Sequence, residues 1–267
     1  MRLATTLRRS LSSKTSAGFF ELRSDCVLPG RLGAYLDEVQ RTAEWRSRAW
    51  PGFLGMWKTE LGGSVHQVHS LLHWNSYTER DEARGAVADL GDIAASHAES
   101  VANMTLPLPS LREQLSDSRS VIMNEASACL AAAGLPGALS YVPQSTANTD
   151  GTGVVATPVC YEMRTYQLRL GYSTVPEFLA LFQGGLKDKL AADDSGASEL
   201  CTLLFSDCGS LNVVVEIWRH QSLQGSMASR EASRKANKWR AAINQIAELA
   251  QSFETTMLRP LPTSPWR

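Results

Sequence analysis

The chain has 267 residues, of which 43% are hydrophobic and 20% are charged. That composition can bury a large core, and the length allows two domains of ordinary size. The formal net charge is −1, but residues 1–17 hold four basic and no acidic residues, so the rest of the chain has 22 basic against 27 acidic residues. A mildly acidic body has no electrostatic affinity for polyphosphate, which argues against nucleic acid as a partner.

The segment 1–17 is rich in Arg, Ser and Thr and has no acids, which is typical of a mitochondrial transit peptide. Leu3, Leu7 and Leu11 recur every four residues and would form one stripe of a basic amphipathic helix. A disordered N-terminus is the plainer alternative. A secretory signal is disfavoured because no apolar run of seven or more follows the charges. We therefore expect a protein of the mitochondrion, in the matrix.

No transmembrane segment is predicted. The longest apolar stretch, 128–142, is too short to span a bilayer and is interrupted by glycine and proline. The five cysteines form no C-x-x-C pair, which suits a reducing compartment and predicts small core residues rather than ligands.

The elements that follow form one pattern that occurs twice. In the first copy the predicted elements are a strand over Phe19–Asp25, a helix with Leu32, Tyr35, Leu36, Val39 and Ala43 on one face, a hairpin of Gly52–Glu60 and Val65–Trp74, a helix that begins with the capping box Ser76-Tyr-Thr-Glu79, and a short strand over Ser120–Met123.

Residues 126–158 form a predicted linker that contains a single charged residue, Asp150. Its first part, Ala126–Leu139, is compatible with a short helix, whereas Gln144–Thr157 has the composition of a flexible connection.

The second copy repeats the order of the first. Its predicted elements are a strand over Cys160–Leu168, a helix that begins with the capping box Thr174-Val-Pro-Glu177, a hairpin of Leu200–Ser206 and Leu211–Trp218, a helix with Trp239, Ile243, Ile246, Ala250 and Phe253 on one face, and a strand over Thr255–Arg259.

This order predicts the α+β class, with two tandem ferredoxin-like domains over 18–125 and 159–267. Each domain would cover one face of its antiparallel sheet with helices and leave the other face bare. The bare faces can pack against each other or against a second subunit, so we expect an intramolecular pseudo-dimer or a homodimer with a barrel arrangement.

Polar side chains alternate along the first and third strands of each copy, and they are the candidates for a pocket inside the barrel. Glu21 with His66 could then act as an acid–base pair. The alternative is an ion-pair network that fixes the register between elements without catalysis. The candidates are Glu21, Arg23, His66, Ser70 and Trp74 in the first copy and Glu162, Arg164, Asn212, Glu216 and Trp218 in the second.

Metal and cofactor sites are not predicted. His66, His69 and His73 would suit zinc only on a helix, and on the predicted strand residues four apart are separated by roughly 13 Å. The sequence has no G-x-G-x-x-G, P-loop or G-x-S-x-G motif, so we expect neither a nucleotide cofactor nor serine hydrolysis.

Several segments resemble the NIPSNAP family. The similar segments are F-E-L-R-S (20–24), W-K-T-E-L-G-G-S-V-H-Q-V-H-S-L-L-H-W (57–74), Y-E-M-R-T-Y-Q-L (161–168), G-S-L-N-V-V-V-E-I-W-R-H-Q-S-L (209–223) and L-R-P-L-P-T-S-P (258–265). The resemblance covers nearly all of 19–265 except the linker. The first copy departs from the family pattern at His66, where the pattern favours Asn, and at Leu72, where it favours Trp.

The resemblance implies tandem dimeric α+β barrel domains, a mitochondrial location and no established catalytic residues. It also implies a role in mitochondrial quality control or vesicle-related processes through protein partners. We therefore expect a non-enzymatic binding or scaffold protein. The alternative is a small-molecule enzyme, monooxygenase-like or an isomerase, with a pocket inside the barrel, and this alternative depends on fold analogy alone.

Overall fold

The computed structural model describes residues 18–84, 111–144, 158–193 and 196–267. The predicted transit segment 1–17 and nearly all of the predicted flexible connection, 145–157, lie outside these ranges. The elements are β1 (Phe19–Val27), α1 (Leu32–Arg41), α2 (Ala43–Ala49), β2 (Phe53–Leu61), β3 (Gln67–Trp74), β4 (Leu115–Glu125), α3 (Ser127–Ala133), β5 (Cys160–Leu168), α4 (Thr174–Ala192), β6 (Ser198–Cys208), β7 (Val213–His220), α5 (Leu223–Ser233), α6 (Asn237–Leu249) and β8 (Ala250–Pro260). Residues 77–84 are also helical.

Eight antiparallel strands form one closed barrel in the order β1-β3-β2-β8-β5-β7-β6-β4. Each half contributes four consecutive strands of this ring, in the orders β4-β1-β3-β2 and β8-β5-β7-β6, which confirms the predicted ferredoxin-like plan. The halves join at both edges, where Lys58 of β2 lies opposite Arg259 of β8 and Asn124 of β4 lies opposite Phe205 of β6. Closure leaves neither sheet with an unpaired edge.

Side chains from both halves fill the barrel interior. Trp57 is 1% exposed, and its ring centroid lies 5.3 Å from that of Tyr161 and 6.1 Å from that of Trp266. Residues on the inward face of both sheets pack around these rings. They include Phe20, Leu22, Leu71, Met123, Met163, Val215, Ile217 and Leu258. The interior is therefore a shared core that is mostly apolar, with a few buried polar side chains such as Arg219 and His69.

The opposite sheet faces are covered by helices. In the second half α4 and α6 pack on Tyr166, Leu168 and Trp218 of the sheet. In the first half Tyr35 and Val39 of α1 pack on the corresponding face of β1 to β3. Because side chains of a strand alternate between faces, each strand residue points either to the interior or to an outer face, which the helices cover in part.

Two sequence predictions at helix ends are wrong. The sequence predicts a last helix that extends to Phe253, but α6 ends at Leu249 and β8 begins at Ala250. Phe253 stacks on Tyr166 of the neighbouring strand at 4.4 Å, so pairing with β5 prevails over the helical periodicity. Likewise Thr174 is the first residue of α4 rather than its cap, and Ser173 before it makes no side-chain capping bond.

The capping box at Ser76 is confirmed in its first half. The backbone N–H of Glu79 donates to Ser76 Oγ at 3.1 Å. The Glu79 carboxylate accepts from the backbone N–H of Asn75 at 2.8 Å rather than from Ser76, one residue earlier than a capping box requires.

The segment predicted as a linker contains packed structure. Its predicted short helix is present as α3, whose Cys129 and Leu130 pack against the core of the second half. Further on, Ala138 and Tyr141 enter the barrel interior, where Tyr141 lies 5.1 Å from Trp266. Among the described residues, no helix is both long and apolar enough to cross a membrane.

Candidate functional site

The predicted residues that lie on strands are on the outer faces and not in the barrel. Along β5, Tyr161 and Met163 point into the interior, so Glu162 and Arg164 point towards α4, α5 and α6. The same alternation places Glu21 and Arg23 outside the barrel in the first half. The expectation of a pocket inside the barrel is wrong for these residues, because the apolar face of each strand fills the interior.

Glu162 is the centre of a buried ion-pair network and is 1% exposed. Oε1 accepts from Arg164 Nε at 2.8 Å and from Arg230 Nη2 at 2.6 Å, and Oε2 accepts from His220 Nε2 at 3.0 Å. Burial alone would raise the pKa of Glu162, but the hydrogen bond from His220 and the charge of Arg164 outweigh burial and hold this pKa well below its usual range. The carboxylate therefore stays ionised at neutral pH.

Glu21 has the equivalent place in the first half. Arg80 binds it in a bidentate manner, with Nε 2.8 Å from Oε2 and Nη2 3.1 Å from Oε1. Trp74 Nε1 donates to Oε2 at 3.0 Å and Ser120 Oγ to Oε1 at 2.7 Å. Burial would raise the pKa of Glu21, yet the bonds from Arg80 and Ser120 lower it below the ordinary value.

The two networks are built on one plan. Each uses the third residue of the first strand and the last residue of the third strand, and each adds an arginine from the helix after the hairpin. Trp74 and His220 are the equivalent donors, as are Arg80 and Arg230. The sequence reasoning missed His220, Arg80 and Arg230, although their positions after the two matching hairpins were a signal that could have found them.

Glu216 and Trp218 lie in the same outer layer as Glu162. The Glu216 carboxylate accepts from Tyr166 Oη at 2.6 Å and from Trp218 Nε1 at 2.5 Å. Beside them, Lys189 of α4 places its Nζ 3.6 Å from the Trp218 ring centroid and 4.6 Å from that of Trp239.

Lys189 is 4% exposed, and it is a further buried charged residue that the sequence reasoning missed. Burial and the nearby charge of Arg164 lower the pKa of Lys189 to about 7. Its helical spacing from Phe182 and Leu186, on the buried face of α4, was the available signal.

Three other candidates do not join these networks. Asn212 lies in the turn before β7 with a φ of 56°, and its Nδ2 donates to the carbonyl oxygens of Arg169 and Gly171. Arg23 donates to Asp25 at 2.8 Å instead of to Glu21. Ser70 is buried on β3 opposite Arg23.

The proposed acid–base pair of Glu21 and His66 is wrong. Glu21 lies opposite Leu72, and His66 precedes β3, six residues before Leu72. Six residues of strand correspond to about 20 Å, which is too far for proton transfer.

The described histidines of the first half, His66, His69 and His73, form no metal site. His69 points into the barrel, where Nδ1 lies 2.8 Å from Ser24 Oγ and Nε2 lies 3.3 Å from Thr59 Oγ1. Burial lowers the pKa of His69 to about 4, so it is neutral at physiological pH. Over the described ranges, no group of three or more His, Cys, Asp or Glu side chains is arranged to hold a metal ion.

Comparison with solved structures supports the barrel fold. A protein named as a candidate monooxygenase from Fusobacterium nucleatum has a TM-score of 0.56 with this chain, covering 92% of this chain and 93% of that protein. The two sequences are 9% identical, so the likeness shows the fold alone.

Comparison of sequences shows the family. The chain is 23% identical to the protein NipSnap homolog 3A of Homo sapiens over 98% of both chains. It is 21% identical to the protein NipSnap homolog 3B of Mus musculus, over 94% of this chain and 87% of that protein. The family model for NIPSNAP matches residues 20–106 and 161–265, one match in each half. The chain therefore belongs to the NIPSNAP family.

Proposed function

We propose that this chain is a mitochondrial binding or scaffold protein that acts through protein partners, in mitochondrial quality control or vesicle-related processes, and not by catalysis. Within this proposal the two NIPSNAP-like domains cover 18–125 and 159–267. Location and role come from the composition of residues 1–17 and from the family resemblance. The main support from the structure concerns the two buried glutamates.

The supporting observation is that Glu21 and Glu162 are saturated by donors. A general acid or base works best with a pKa near the working pH, and enzymes reach this by raising the pKa of a buried carboxyl. Here arginines and N–H donors lower the pKa of both carboxyls. Such groups hold elements together, and they are poorly suited to transfer protons at pH 7.

The alternative is a small-molecule enzyme with a pocket inside the barrel. The described interior residues, with Trp57 and Tyr161 at the centre, are packed against each other and expose none of the charged candidates to that space. The placement of the charged candidates on the outer faces of the strands favours the binding protein over this alternative.

Import tests the proposed location. Replacing Arg2, Arg8 and Arg9 by Glu reverses the charge of the segment, so we expect a fluorescent fusion of the full chain to move from mitochondria to the cytosol. The matched control replaces the same three residues by Lys, which keeps the charge and should keep the mitochondrial signal. Mitochondrial residence of the Glu variant would contradict the proposed transit segment.

Catalysis can be tested without a known substrate. The purified full chain is incubated with a mitochondrial small-molecule extract, and the extract is compared by mass spectrometry with one incubated with the heat-denatured protein. We expect no compound to be consumed catalytically. Turnover that needs the folded protein would overturn the non-enzymatic proposal.

A further inference from the structure

A basic cleft opens beside the Glu162 network, between the outer sheet face and helices α5 and α6. Its volume is about 290 Å³, close to the lower end of the range for small-molecule sites. Four arginines line it, namely Arg164, Arg230, Arg234 and Arg240, and none of its lining residues is acidic.

The positive charge of the cleft is only partly compensated. Glu162 binds both Arg164 and Arg230, at 2.8 Å and 2.6 Å, and the charge of Glu216 also acts on Arg164. Arg234 pairs with Glu231, but their side chains are 75% and 61% exposed, and such surface pairs are weak. Arg240 forms no ion pair with any described residue. The cleft thus carries more guanidinium groups than carboxylates, which favours an incoming anion.

Two apolar side chains also line the cleft, and one of them is fixed in position. These are Trp239 and Ile243 of α6. Trp239 is held by an edge contact with Phe182 at 5.2 Å and by Lys189 over its ring at 4.6 Å. Fixed apolar side chains in the same cleft as several guanidinium forks can hold a ligand that is apolar at one end and anionic at the other.

We propose that this cleft binds a small organic anion, a carboxylate or phosphate monoester with an apolar body. Arg234 and Arg240 bind the anionic group from the open side and Arg164 from the buried side, while Trp239 and Ile243 contact the body. Guanidinium suits this role because its planar fork binds both oxygens of a carboxylate or phosphate. The inference does not depend on the proposed function, since a binding protein and an enzyme can both hold such a ligand.

Calorimetric titration of the full chain tests the proposal with four probes: benzoate, phenyl phosphate, inorganic phosphate and the neutral benzamide. We expect phenyl phosphate or benzoate to bind, inorganic phosphate to bind more weakly, and benzamide not to bind. Equal binding of benzamide and benzoate would overturn the role of the arginines. Equal binding of inorganic and phenyl phosphate would overturn the role of Trp239 and Ile243.

Variants place the binding in the cleft. Arg240→Glu and Arg234→Glu change exposed side chains and should each weaken binding of the organic anion about tenfold or more, as expected for a lost charge-assisted hydrogen bond. Arg48→Glu on α2 changes the net charge equally but lies in the other half, so it should leave affinity unchanged. The proposal fails if no anionic probe binds the full chain at concentrations on the order of 10 mM. It also fails if all three variants bind the organic anion with the same affinity.

Discussion

At the scale of single residues, the buried glutamates act as junctions between elements. Glu162 on β5 receives donors from β7 through His220 and from α5 through Arg230. Glu21 on β1 joins β3, β4 and the helix 77–84 in the same way. A buried charge that has several well-placed donors fixes the relative position of the elements that supply them, and loss of the carboxylate leaves those donors uncompensated.

Glu162→Gln tests this role. The change removes the carboxylate that binds the buried Arg164 and His220, so we expect the free energy of unfolding to fall by about 3 to 5 kcal/mol in urea denaturation. Glu231→Gln is the control, because it breaks only the exposed pair with Arg234 and should cost less than about 1 kcal/mol. Equal losses in the two variants would show that the Glu162 network does not stabilise the fold.

Lys189 gives the fold a dependence on pH. The folded protein loses the Lys189 proton near pH 7, whereas the unfolded chain keeps it to about pH 10.5. Between these two pH values the unfolded state binds more protons than the folded state, so the free energy of unfolding rises with pH. Below pH 7 the folded protein bears the full cost of burying an ammonium group. This cost is relieved as the pH rises and the group loses its proton. The groups around Lys189 are Arg164, Arg230, Glu162 and Glu216.

The expected size of this effect is a gain of about 2 kcal/mol in the free energy of unfolding from pH 7 to pH 9. Lys189→Met removes the titrating group while keeping an unbranched side chain, so its stability should lack this gain. The measurement is urea denaturation of both proteins at pH 7, 8 and 9. A constant difference between them across this range would contradict the lowered pKa of Lys189.

Which residues alternate along β1 and β5 could be predicted from sequence, but not which face points inwards. Phe20 and Leu22 on one side and Glu21 and Arg23 on the other give a clear period of two. Both faces of this sheet are covered, one by the opposite half and one by helices, so the pattern itself does not tell them apart. The arginines that complete the networks come from helices far along the chain, where the strand pattern carries no information.

At the scale of elements, close packing of β2 depends on a glycine. Gly55 lies against the ring of Trp57, and a Cβ at this position would lie well inside contact distance of the ring carbons. Trp57 cannot move away, because Tyr161 and Trp266 pack around it. The second strand of the barrel thus has room for no side chain at residue 55.

Gly55→Ala should therefore destabilise the protein by about 1 to 3 kcal/mol, the usual cost of overpacking a core. The matched control is Gly33→Ala in α1, where an added Cβ would meet nothing within 4 Å. That change should be neutral or raise stability by about 0.5 kcal/mol, since alanine favours helix. Thermal unfolding of both variants is the measurement, and a Gly55 variant as stable as the Gly33 variant would contradict the packing described for Trp57.

The strand, helix and hairpin order could be predicted because each amphipathic segment carries its own period, as in α4 and β5. The end of α6 could not be predicted from the sequence, because the helical spacing of Trp239, Ile243 and Ile246 continues to Ala250 and Phe253. What ends the helix is the pairing of β8 with β5, where Phe253 meets Tyr166, and this contact joins residues 87 positions apart in the chain. Local periodicity does not report such pairings.

At the scale of the whole molecule, the two halves are parts of one barrel. They share the interior around Trp57 and Tyr161, and they pair their edges at β2 with β8 and at β4 with β6. The sequence repeat predicts two similar sheets. The bare face of each sheet predicts that this face is covered, by the other half or by a second subunit. The joining of both edges needed the structure, because edge pairing between halves leaves no repeat in the sequence.

The most direct test of the single barrel is the mass of the isolated second half, 159–267, in sedimentation across a dilution series. Alone, this half would expose Tyr161, Met163 and Ile217 on an uncovered sheet face and leave β6 and β8 as open edges, which a soluble monomer rarely tolerates. We expect this isolated half to dimerise or aggregate. In the full chain, which is the control, the other half covers these surfaces, so we expect no association through them. A folded 159–267 that stays monomeric at every concentration would contradict a barrel that the two halves close together.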